Sequence, residues 1–98
     1  MADIYFGDFR VVVINHIKDI DTTNPGSHSI EWFLLKYLKR IVKNTEQPTS
    51  PGKVEGSVRA LVRFYLDNIE EKSDLGNRCI HVYEEYRKTV KHYQEQGS

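Results

Sequence analysis

The stretch Ile30-Glu31-Trp32-Phe33-Leu34-Leu35-Lys36-Tyr37-Leu38-Lys39-Arg40-Ile41-Val42-Lys43-Asn44 decides the fold class. Ile30, Phe33, Leu34, Tyr37, Leu38, Ile41 and Val42 recur at steps of three and four, the period of an α-helix with one buried face. A strand would alternate every second residue, and this stretch does not. Lys36, Lys39, Arg40 and Lys43 take the other sides, and the cations of the last two turns suit the negative end of the helix dipole. Ser27 or Ser29 supplies the cap, because a hydroxyl just before a periodic run accepts from N–H groups that the first turn leaves orphaned.

Working outward, the same period returns. Val54, Val58, Leu61, Val62, Tyr65 and Ile69 stripe a segment from about Val54 to Glu71, and Leu75, Cys79, Val82, Tyr83, Tyr86, Val90 and Tyr93 stripe another from about Leu75 to Gln94, capped by Ser73 or Asp74. Loops are expected at 21–29, around Pro25-Gly26, and at 45–53, around Pro48 and Pro51-Gly52. The first segment, about residues 6–20, gives two signals. Phe6, Phe9, Val13, Ile17 and Ile20 form a helical stripe, with Asp8 as a cap for a helix starting at Phe9. The run Val11-Val12-Val13-Ile14 is β-branched throughout and favours a strand. The stripe persists over several turns, so helix is the preferred reading and strand the alternative. The expected architecture is all-α: a single domain over 1–98, a bundle of three or four helices, with a loose tail at 95–98.

Composition limits the function classes. Fourteen basic and fourteen acidic residues cancel, which removes the excess of positive charge expected of a nucleic-acid-binding domain. A single cysteine, Cys79, excludes an internal disulfide and fits a reducing compartment. No basic start precedes an apolar run, and the longest such run, Val11 to Ile14, is far too short for a bilayer. The expected setting is cytoplasmic, without a membrane partner.

Residues able to do chemistry are sparse. Arg87 and His92, separated by four residues, resemble the signature of HEPN-type helical ribonucleases. That resemblance implies an Arg–His pair brought into a cleft between two protomers to attack RNA. Arg10 and His16 satisfy the same loose spacing, and residues five apart on a straight helix point about 140° from each other. His81 and Glu85, four apart, share a helix face, but zinc needs three or four ligands and no second pair accompanies them. Cys79 lies on an apolar stripe, where cysteine acts as a small hydrophobe. No glycine-rich phosphate loop, metal set or cofactor motif is present, and no catalytic residue is assigned.

The most informative residue is Trp32, the chain's single tryptophan. It falls about 160° from the stripe centre at Leu34. Lys36, Lys39 and Lys43 share its side, with Leu35 at the border. Nothing in the segment's own pattern buries it, so an exposed indole among lysines is expected unless loop 21–29 or another segment folds over it. A displayed tryptophan suits a binding anchor. Tyr83, Tyr86 and Tyr93 on the last stripe prefer a margin or interface, because a buried phenol needs a partner; they mark the expected contact of a homodimer. The expected function is therefore a small non-catalytic adaptor or regulator that binds another protein through an exposed helix face. The alternatives are single-stranded nucleic-acid binding by Trp32 and the neighbouring lysines, and a HEPN-like ribonuclease using Arg87 and His92.

Overall fold

Apolar stripes at helical period cannot be buried one at a time, so each helix must lay its stripe against others. The computed structural model, which describes residues 5–46 and 50–96 (93–96 by backbone alone), is built this way. Four helices follow in order: α1 (Gly7–Asp21), α2 (Ile30–Asn44), α3 (Pro51–Asn68) and α4 (Asp74–Gln96). Short links make successive helices antiparallel neighbours, and α4 returns against α1 to close the ring. Among the described residues no helix is long and apolar enough to cross a membrane.

The first segment is helix, and the reason is visible residue by residue. Phe6, Phe9, Val13 and Ile20 are buried and Ile17 packs against them. Val11 stands 56% exposed. A β-branched run is thus compatible with helix when only part of it lies on the stripe. The helix begins at Gly7 with Phe6 at its N-cap, and no side chain caps it. Asp8 instead sits in the first turn, where its carboxylate suits the dipole.

Ser29 caps α2, its Oγ accepting from the Trp32 N–H at 3.2 Å. Helix α3 starts earlier than the Val54 read from its stripe, so Pro51, Gly52 and Lys53 leave the expected loop. Proline's fixed φ and missing N–H suit the first turn of a helix. It also ends sooner: Asn68 is its last residue and Ile69 turns extended (φ −121°, ψ 134°) while still packing on the core. Lys72 takes a left-handed conformation (φ 69°) in the link to α4. Ser73 Oγ then accepts from the Gly76 N–H at 3.0 Å. Gly76 is a forced choice: a Cβ there would lie 2.7 Å from the Glu70 carbonyl oxygen. Helix α4 runs to Gln96, so 95 and 96 of the expected tail are helical, and 97 and 98 lie outside the described residues.

The core joins all four helices: Phe6, Phe9 and Val13 meet Leu34, Leu38 and Ile41, then Val54, Val58 and Leu61, then Cys79 and Val82. Tyr37, Tyr65, Tyr86 and Val90 pack at its margin.

Candidate functional site

Two polar regions stand out from this frame. The first is the outer face of α2. Trp32, Lys36, Lys39 and Lys43 project together, with Phe33, Tyr37 and Arg40 at one side. Leu35 does not belong to it: at 5% exposure it is a core residue, because neighbouring helices wrap further around α2 than its narrow stripe suggests.

Trp32 is half-buried. The loop before α2 folds a ring over it, since His28 adopts a left-handed backbone (φ 66°) that sets its imidazole 4.8 Å from the indole. The Lys36 ammonium lies 5.1 Å from the indole centroid on a cation–π contact, and Phe33 meets it edge-on at 5.0 Å. Phe33 and Tyr37 continue to Phe64 of α3, with Tyr37 stacked on Phe64 at 4.8 Å. Phe33, Lys36, Tyr37 and Arg40 line an open slot, two aromatic rings beside two cations. Lys36, Lys39, Arg40 and Lys43 form no ion pair among the described residues.

The second region is the seam between α1 and α4. Arg78 Nη1 lies 3.1 Å from His16 Nδ1 and 3.1 Å from Asp19 Oδ2, while Arg78 Nε lies 3.1 Å from Asp74 Oδ2. His16 Nε2 is 2.8 Å from His81 Nδ1, and His81 Nε2 faces Glu85 Oε1 at 3.6 Å. Burial, then the nearby His81 and Arg78, push the His16 pKa below the ordinary imidazole value against the pull of Asp19 and Asp74. Burial works against the Arg78 charge too, but hydrogen bonds to Asp74 and Asp19 outweigh it and hold its pKa above the usual value. Sequence reasoning found His81 with Glu85 and missed the rest. The available signal was spacing: His16 and Asp19 are three apart, and Asp74, Arg78, His81 and Glu85 follow at steps of three and four.

The remaining candidates are dispersed. Arg87 leans over the Tyr83 ring at 5.8 Å in the α3–α4 groove. His92 lines a cleft with Tyr5, Asp8 and Glu85 on the α1 side. A single chain therefore does not bring the Arg87/His92 pair together. Among the described residues no group of three or more His, Cys, Asp or Glu is placed to hold a metal ion. Burial raises the Cys79 thiol to about 11, which leaves it protonated and unreactive at neutral pH. Of the three tyrosines assigned to an interface, Tyr83 is exposed. Tyr86 stacks on Phe6 at 6.4 Å and meets Phe9 edge-on at 5.8 Å. The Tyr93 side chain lies outside the described residues.

Fold and face together define a four-helix bundle with a cationic, aromatic outer helix. Comparison with known proteins adds no closer kinship: no family model, no curated protein and no solved structure matches the chain.

Proposed function

We propose that this protein is a non-catalytic binding module that holds an acidic segment of another protein against α2. The observation that carries this reading is the slot lined by Phe33, Tyr37, Lys36 and Arg40. Aromatic rings beside cations that pair with no carboxylate among the described residues complement a side chain that is apolar at its tip and flanked by Asp or Glu. Trp32 borders the slot and serves as reporter and anchor. Stacking of nucleic-acid bases is less well served, because His28 and Lys36 already occupy the indole. The buried free thiol suits a cytoplasmic setting.

A peptide of alternating Glu and Phe, titrated against Trp32 fluorescence, tests the reading, with oligo-dT as the comparison. Saturable binding of the peptide is expected, weakened about tenfold or more by Lys36→Glu with Arg40→Glu, the scale of losing two interfacial charges. Oligo-dT binding more tightly than the peptide, with a steep loss in salt, would transfer the face to single-stranded nucleic acid. Silence toward both ends the binding-face reading.

Self-association is a separate proposal, carried by the α3–α4 side. Leu66 is 72% exposed beside Val62 and Tyr83. Arg63 and Asp67 flank it without an ion pair among the described residues, and across a two-fold axis each can meet the other of a second copy. Sedimentation equilibrium checks it: wild type is expected to dimerise and Leu66→Glu to remain an 11.5 kDa monomer. A wild-type monomer across the micromolar range removes the dimer.

A further inference from the structure

The chain of contacts in the α1–α4 seam has a direction that its distances alone do not show. A guanidinium has hydrogens on every nitrogen and no lone pair to accept with. Arg78 Nη1 therefore donates to His16, and His16 Nδ1, at 3.1 Å, is the bare, accepting nitrogen. In a neutral imidazole the hydrogen is then on Nε2. His16 Nε2–H donates across the seam to His81 Nδ1 at 2.8 Å. That nitrogen must also be bare, so the His81 hydrogen sits on Nε2, facing Glu85 at 3.6 Å. One donor-only side chain thus fixes both tautomers, and each imidazole is satisfied only while neutral.

A proton has no harmless place in this chain. On His16 Nδ1 it sets an N–H against the guanidinium. On His81 Nδ1 it sets an N–H against the N–H of His16, or forces His16 to reverse its tautomer and turn an N–H toward Arg78. A metal ion between the two rings meets the same obstacle, since metal on His16 Nε2 demands a hydrogen on Nδ1. We infer that the seam is a proton-sensitive latch, in which protonation of the His16–His81 pair breaks the chain of hydrogen bonds and releases α1 from α4.

The surrounding charges fit this role. Asp19 of α1 and Asp74 of α4 are already bonded to Arg78. Glu85 is bonded to Lys88 at 3.3 Å, and from α2 Glu31 lines the cleft beside Arg78. Asp19 and Asp74 draw a proton toward His16 while their bonds to Arg78 already engage them. The depressed pKa of His16 gives the sign. Its folded pKa lies below the unfolded one, so the latch is fully closed above the unfolded value near 6.5 and weakens as pH falls toward the lowered one.

Nitrogen-15 NMR of the imidazoles in the wild-type protein at about pH 8, well above the ordinary imidazole pKa, tests the geometry directly. Both Nδ1 atoms are expected to read as unprotonated and both Nε2 as protonated. Hydrogen exchange, corrected for its intrinsic pH dependence, tests the release. Between about pH 7.5 and 5, α1 amides are expected to lose protection about tenfold relative to α2 amides. In the double variant His16→Gln/His81→Gln neither position binds a proton, so that pH dependence is expected to vanish. A hydrogen on His16 Nδ1 in the neutral wild type, or equal pH dependence in wild type and the double variant, overturns the latch.

Discussion

The α1–α4 seam and the outer face of α2 carry similar chemistry, aromatic and imidazole rings beside cations, yet they treat charge in opposite ways. In the seam Arg78 is three-quarters covered and meets two carboxylates and an imidazole. On α2 the cations end in solvent without an ion pair among the described residues, and Lys36 has only a ring beneath it. Polar groups that satisfy one another hold a structure together. Polar groups left unmatched on a rigid helix are available to something else.

The largest expected effect tests the helix that both regions depend on. Leu38→Ala removes a fully buried side chain from the inner face of α2 and should cost about 2–5 kcal/mol. Denaturant titration measures it, and a loss below about 0.5 kcal/mol means α2 does not face the core as described. Next comes the close approach of the first turn of α4 to the link before it. Gly76→Ala improves helix propensity, but its methyl meets the Glu70 carbonyl; overpacking of this kind costs about 1–3 kcal/mol, and a stabilised variant would show that the link relaxes freely. The comparison itself is sharpened by Arg78→Ala against Lys39→Ala. The first should cost about 1–2 kcal/mol, because it strands His16 Nδ1, the sum being limited by the exposure of Asp19 and Asp74. The second should stay within about 0.5 kcal/mol. Equal losses would erase the distinction between a seam that holds and a face that displays.

What was legible in the sequence follows the same division. Burial obeys a local period, so the stripes of α2, α3 and α4 located Leu34, Leu38, Ile41, Val58, Leu61 and Val82 correctly. Stripe position also outweighed β-branching in α1. Leu35 was lost because a stripe records where the core is, not how far neighbouring helices reach around. The partial covering of Trp32 hangs on one left-handed residue, His28, and nothing in its local pattern demands that conformation. The seam was illegible for a plainer reason: His16 and His81 stand 65 positions apart, and each looks on its own like an exposed polar residue.

That separation has a consequence for the order in which the molecule is assembled. Phe6 and Phe9 pack on Tyr86, and His16 waits for His81, so of the four helices the first to be translated finishes its contacts with the fourth. Until α4 leaves the ribosome, α1 is covered on its α2 side alone. Phe6 and Phe9 then lack the Tyr86 ring, and apolar surface left uncovered during synthesis is of the kind chaperones recognise. Contacts between residues so far apart in sequence slow folding relative to local ones. The contact that closes the ring is that of α4 on α1, with the aromatic cluster and the imidazole pair both on it.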